Sequence, residues 1–211
     1  MSAADRPRAS AAAFAQLGLA FGCVLLVGAQ FWAGLAALVA LGCAWPPQVA
    51  LRPLAARRVL LAYLPFAVGW LAFVVAYLRV LHALGQPLSP QGPLQQLAEH
   101  GTGLDGFALL VFGIVVVAPV LEEVVFRGYL FTALATVLPM WAVQAVTALL
   151  FGLVHGLAYA LPIAVLALLF GWLRQRHRAL GPPILAHAVH NGITVLLAIL
   201  WPAHLDLLYP R

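Results

Sequence analysis

Three groups of polar side chains stand out in an otherwise apolar sequence. The first is Glu122, Glu123 and Arg127 in AlaProValLeuGluGluValValPheArgGly. Residues i and i+4 share a helix face, so a helical reading places Glu123 over Arg127 in the favourable acid-before-base order and turns Glu122 about 100° away. One carboxylate is then paired and the other is free. The second group is His155 in PheGlyLeuValHisGly, and the third is LeuAlaHisAlaValHisAsn, which holds His187, His190 and Asn191. His187 and Asn191 are again i and i+4 and present their polar ends on one face, with His190 shifted off it. A free carboxylate and an imidazole that share a water form the arrangement for general-base activation. The pair His187 and Asn191 suits an oxyanion or a metal, or equally a capping and interfacial cluster near Pro183. For the glutamates the plain structural alternative is an ion pair plus a helix end surfacing at the interface.

The elements that must position these residues are membrane helices. The chain has 211 residues, 64% hydrophobic and only 8% charged, with a mean hydropathy of +1.02. Soluble domains carry about a quarter charged residues, so an ordinary globular protein is excluded. Eleven charges are arginine, six are acidic and none is lysine, for a net charge of +5. These arginines are scattered between apolar stretches and form no basic stripe, which sets nucleic-acid binding aside. Cys23 and Cys43 lie in apolar runs and read as small core residues, not as a disulfide framework. Serine and cysteine nucleophiles are not indicated: Ser2, Ser10 and Ser89 are the only serines, and no GlyxSerxGly occurs.

The run from Ala9 to Trp45 carries no charge and far exceeds a secretory apolar region of about 7 to 15 residues. It is expected to stay in the membrane, as one long tilted helix with an interfacial piece or as two short spans. Arg52, Arg57 and Arg58 follow as a cytoplasmic anchor. Further spans are expected at Val59 to Leu84, Gly106 to Ala135, Trp141 to Leu157, Leu161 to Leu173 and Pro183 to Trp201. A short interfacial helix is expected around Leu94 to His100, within the loop Gly85 to Asp105. Alternate crossings return the cluster Arg174, Arg176, His177 and Arg178 to the side of Arg52 to Arg58. The expected fold is therefore all-α, a polytopic transmembrane helix bundle of six to seven helices, eight at most. Residues 1–105 read as N-terminal membrane helices without a motif, 106–202 as the bundle that bears the motifs, and 203–211 as a short tail.

A carboxylate in a spanning helix costs about 2.5 to 3.5 kcal/mol even on the lenient insertion scale, so Glu122 and Glu123 are by default functional. Glu122 lies 16 residues before Leu138 and His155 lies 17 after it, which brings the two to nearly one depth on antiparallel helices. Hairpin counting puts His187 near the Arg174 side and His155 nearer the other. The sites are thus expected to meet only through a kinked or partly re-entrant helix, with Pro162, Pro182 and Pro183 as the places for it.

In this order and on successive hydrophobic helices, GluGluxxxArg (Glu122, Glu123, Arg127), PhexxxHis (Phe151, His155) and HisxxxAsn (His187, Asn191) resemble the CPBP intramembrane proteases. That family includes the CAAX prenyl endopeptidases of eukaryotes and the bacterial Abi and bacteriocin-processing proteins. The resemblance covers about Phe107 to Trp201. It implies an intramembrane endopeptidase in which Glu122 and His155 activate a water for attack on the scissile carbonyl, His187 and Asn191 stabilise the oxyanion, and Glu123 with Arg127 holds the site's shape. It also implies a membrane-embedded or lipid-anchored peptide or protein as substrate, and an integral position in the bilayer, with the bacterial cytoplasmic membrane as the expected location. No metal is the preferred expectation, since HisGluxxHis is absent. The alternative is zinc or another divalent metal on Glu122, His155 and His187.

Two other classes compete. A transporter or proton-coupled channel also uses buried Glu, His and Arg, but favours paired broken helices in two repeats, and no such repeat is seen. A non-catalytic membrane scaffold keeps the helices without any need for the polar sites to converge. Convergence of Glu122, His155, His187 and Asn191 favours the enzyme; dispersal favours the scaffold.

Overall fold

The computed structural model describes residues 10–20, 56–103 and 105–209 together with the single positions 22, 40 and 42. Cys23, Cys43 and most of the run from Ala9 to Trp45 lie outside the described residues. Among the described residues there are helices and turns and no strand, which is the expected all-α membrane bundle. The helices are α1 (Ser10–Ala20), α2 (Ala56–Ala83), α3 (Gly92–His100), α4 (Phe107–Leu134), α5 (Met140–Leu153), α6 (Leu157–His177), α7 (Gly181–Leu200) and α8 (His204–Leu208). Four of these, α2, α4, α6 and α7, are long and apolar enough to cross a membrane. Helices satisfy their backbone groups internally, and that is why a chain this apolar adopts them in lipid.

Inward and outward faces of α2 are both apolar. Leu61, Leu64, Val68, Leu71 and Val75 are exposed at helical spacing, while Val59, Tyr63, Val74 and Leu78 are buried. In lipid the apolar residues gain little by turning inward, so packing and polar tips choose the inner face. Tyr63 and Trp70 are that choice here. Val59 and Tyr63 pack with Leu166, Phe170 and Ala186, and Phe66 and Trp70 lie against the same cluster. Arg58 at the start of α2 lines a cavity of about 190 Å³ with Trp172, Arg176 and His177 of α6. Among the described residues, Arg58 therefore sits at the same end of the bundle as Arg176 and His177, as the charge distribution predicts, and Arg52 lies outside the described residues.

The expected span from Trp141 to Leu157 is shorter in the structure. Helix α5 has 14 residues, about 21 Å by helical rise, against the ~30 Å of a hydrocarbon core. It stops because Gly156 sits at φ 98° and ψ 147°, a conformation that belongs to glycine and cannot continue a helix. Helix α6 is correspondingly longer than expected, 21 residues with Pro162 inside it. The α5–α6 hairpin is tight because Gly152 has no side chain; a Cβ there would run into the carbonyl oxygen of Ala160. Close approach through a small residue is the usual way helices associate in membranes.

Helix α4 is continuous but not uniform. It opens into π-helical turns at Gly113–Val117 and again at Val124–Leu130, on either side of Glu122 and Glu123. Such turns widen a helix locally and shift the register of the side chains that follow. The expected break points behave differently: Pro182 and Pro183 occupy the first turn of α7, where proline is tolerated, and α6 runs through Pro162 unbroken.

Candidate active site

Helix α4 contributes two adjacent carboxylates with opposite surroundings. Glu123 and Arg127 are both completely buried, and Arg127 Nη1 donates to Glu123 Oε1 at 3.0 Å. Arg127 Nη2 donates to the Ala167 carbonyl of α6 at 3.0 Å, and its guanidinium lies 4.4 Å from the centre of the Phe151 ring. His187 Nδ1 of α7 donates to the same Glu123 Oε1 at 3.0 Å. The Glu123–Arg127 pair thus ties three helices together, α4 to α7 through Glu123 Oε1 and α4 to α6 through Arg127 Nη2. An isolated charge in such a place would cost several kcal/mol, and the partners are what make Glu123 and Arg127 tolerable there.

Glu122 faces elsewhere. Its Oε2 lies 3.8 Å from His155 Nε2 and 3.8 Å from His187 Nε2, and it receives no hydrogen bond from the protein. The Glu122 and His155 side chains keep 31% and 24% of their surface accessible. The open side of α4 is therefore partly accessible, although Glu122 Oε2 itself is buried, while the closed side, centred on Glu123, is not accessible at all.

The tautomers follow from the acceptors. A carbonyl oxygen only accepts, so the 2.7 Å contact of His155 Nδ1 with the Phe151 carbonyl makes Nδ1 the protonated nitrogen and leaves Nε2 as a lone pair when the ring is neutral. That bond also folds the ring back along α5, toward Glu122. A short α5, the π-helical turns of α4 and this folded ring close the depth gap that hairpin counting raises, in place of a kink at Pro162, Pro182 or Pro183. His187 is held flat by Phe170, stacked at 4.8 Å between ring centres, so its Nε2 points at Glu122 while Nδ1 is held by Glu123.

Glu122, His155 and His187 are brought together, and Glu123 with Arg127 stands directly behind them. Asn191 is placed differently: its Nδ2 donates to the Ile114 carbonyl of α4 at 2.8 Å. His190, shifted off the face as predicted, is enclosed by α2. Tyr63 Oη is 3.1 Å from His190 Nδ1, and the Trp70 ring meets it edge-on at 4.7 Å. Tyr63 and Trp70 are residues that sequence reasoning missed; two aromatics among the apolar residues of a span carry no signal of a partner. Phe170 was missed for the same reason. For a metal, the nearest donor set is Glu122 Oε2 with the two Nε2 atoms. Among the described residues no group of three or more His, Cys, Asp or Glu side chains has the arrangement to hold an ion as it stands.

Comparison with known proteins bears on the same stretch. Residues 104–193 match the family model described as Type II CAAX prenyl endopeptidase Rce1-like. A Bacillus subtilis protein named "Putative membrane peptidase YdiL" is 29% identical over 85 residues, 40% of this chain and 35% of that protein. The chain thus spans about a third of the curated relative it matches. No solved structure matches. The resemblance to the CPBP proteases accordingly stands on a family model and a relative as well as on the three motifs, and all three motifs fall inside the matched stretch.

Proposed function

We propose that this protein is an intramembrane endopeptidase that hydrolyses a membrane-embedded or lipid-anchored peptide or protein with a water activated by Glu122 and His155. The observation that carries this reading is the unpartnered Glu122 Oε2, 3.8 Å from two imidazole Nε2 atoms. A water held there gives one hydrogen to Glu122 Oε2 and the other to His155 Nε2, and a lone pair on its oxygen is free to attack a carbonyl carbon. As the C–O bond forms, Glu122 takes the proton. The carbonyl oxygen becomes an oxyanion that faces His187 Nε2 as its donor while Glu123 holds Nδ1. Glu122 then passes the proton to the departing amine, the C–N bond breaks, and the products are an amine and a carboxylic acid, whose proton, the second hydrogen of the water, passes to His155 Nε2 to leave the carboxylate. Glu123 and Arg127 fix His187 and the α4 backbone. The expected place of action is the cytoplasmic membrane of a bacterium.

A divalent metal, zinc among others, is the second reading. Both rings turn Nδ1 to a backbone or carboxylate oxygen, which is how metal-bound histidines are usually oriented, so Glu122, His155 and His187 would be its ligands. Such an ion supplies Lewis-acid polarisation of a carbonyl. The mechanism without a metal predicts that exhaustive chelation leaves turnover within a few-fold of its starting value. Loss of activity on chelation with return on adding zinc, tracked by measured metal content, would replace that mechanism and keep the endopeptidase.

The test of the function itself is a comparison of peptide termini in membranes containing wild type or Glu122→Ala. New termini in or beside membrane spans that need Glu122 support the reading. Identical termini in both would overturn it and favour the scaffold.

A further inference from the structure

Asn191 lies on the same face of α7 as His187, yet its polar end does not turn toward Glu122. Its partner is the Ile114 carbonyl, and the reason lies in the backbone of α4. The Ala118 N–H donates to the Gly113 carbonyl, a step of five residues, so the donor due to Ile114 in that register is the next residue along. That residue is Pro119, and proline has no N–H. A buried carbonyl left without a donor is unfavourable anywhere and more so in lipid. Asn191 Nδ2, at 2.8 Å, takes the position of the missing N–H. Close helix approach permits it: a Cβ on the adjacent Gly192 would sit 3.7 Å from Val115 Cγ1.

We propose that Asn191 is a positioning residue which replaces the hydrogen-bond donor lacking at Pro119 and so fixes the π-helical turn that aims Glu122 at His155 and His187. The proposal rests on the endopeptidase reading. Helix α7 grips α4 at two heights, through His187 on Glu123 and through Asn191 on Ile114. Glu122 is two residues on from Val120 and three from Pro119, so slippage of the turn at Ile114 carries directly into the direction of its side chain. A misplacement of about 1 Å in such a group costs on the order of 100-fold in rate.

The test exploits the missing donor, because replacing Pro119 restores an N–H to the backbone. Wild type, Asn191→Ala, Pro119→Ala and the double variant are purified in detergent, and kcat and KM are measured on a quenched fluorogenic farnesylated CAAX peptide beside the thermal midpoint. Asn191→Ala is expected to lower kcat about 10- to 100-fold with little change in KM, and Pro119→Ala in that background to bring kcat back to within a few-fold. Should Asn191→Ala fail to accumulate, recovery of folded protein and of kcat in the double variant is the same rescue. Loss of kcat that Pro119→Ala leaves untouched would make Asn191 a direct donor to the substrate and overturn the proposal. A lower midpoint with unchanged kcat would also overturn it. Wild type that cleaves neither this peptide nor any peptide in the comparison of membrane termini with Glu122→Ala defeats the endopeptidase reading, and is told apart from the other failures by those controls.

Discussion

Two sides of one helix turn hold the two neighbouring glutamates, and they are built on opposite principles. Around Glu123 the contacts are tight and shielded: Arg127 and His187 share Oε1 at 3.0 Å each, and both Glu123 and Arg127 are fully buried, with Glu123 Oε2 and Arg127 Nε the polar atoms left without a partner there. Around Glu122 the distances open to 3.8 Å, part of the side chain is accessible, and no donor reaches Oε2. A buried pair that loses one partner is left with an uncompensated charge, whereas an open carboxylate that loses its charge leaves little behind. Closed polar groups hold a structure, and open ones are free to take and give a proton. His187 belongs to both sides, with Nδ1 on the closed side and Nε2 on the open one.

The largest expected effect is on the open side. Glu122→Gln and His155→Ala should each reduce cleavage by about 10² to 10⁴, the range for loss of a general base. The thermal midpoint of Glu122→Gln should equal or exceed that of wild type, because no protein donor loses its acceptor. Turnover within a few-fold of wild type in either variant would remove these groups from the chemistry. A marked fall in midpoint would instead show that Glu122 is as structural as its neighbour.

On the closed side the same kind of change should act on folding. Glu123→Gln and Arg127→Met each break a buried ion pair, which typically costs about 3 to 5 kcal/mol. Lower yields of folded protein and lower midpoints in detergent are expected, with activity falling in step. Wild-type midpoints in both variants would erase the contrast between the two glutamates.

A smaller effect is expected where the backbone aims His155. Gly156→Ala forces a Cβ onto φ 98°, at a cost of order 1 to 3 kcal/mol. The ring is then expected to lose its alignment with Glu122, lowering kcat more than binding. Comparison of kcat and KM for the folded fraction checks this. Unchanged kcat would mean that the turn only joins α5 to α6.

How far the sequence could be read depends on whether a feature is local. The pairing of Glu123 with Arg127 was legible because four residues of helix fix it, and the spacing survives the π-helical turn. Gly156 after His155 was a visible stop signal, yet the apolar Val154 and Leu157 on either side extend a hydropathy window past the true end of α5. Pro119 shows in the sequence that an N–H is missing from α4. It does not show whether the helix kinks or widens, or that a residue far along the chain, Asn191, supplies the donor. The enclosure of His190 by Tyr63 and Trp70 is tertiary throughout, since α2 precedes the motifs and carries none of its own.

His190 extends the comparison to a second pair of near neighbours, three residues from His187 on the same helix. His187 joins the reacting groups, whereas His190 is held by the Tyr63 hydroxyl at 3.1 Å and the edge of Trp70, and no contact links it to Glu122. Tyr63 is 1% exposed, so Tyr63→Phe keeps the packing of α2 against α6 and α7 and removes a single hydrogen bond. Such a bond contributes about 0.5 to 1.5 kcal/mol in the general case and averages near 0.6 within membranes. A slightly lower thermal midpoint is therefore expected, with kcat within about threefold of wild type, which at 25 °C corresponds to less than 1 kcal/mol of barrier. Phenylalanine leaves the ring edge of Trp70 in place, so His190 keeps its position and loses only a hydrogen-bond partner. If kcat instead falls tenfold or more while the midpoint holds, His190 acts on the chemistry through its ring nitrogen, and the division between a reacting and an enclosed histidine on α7 fails.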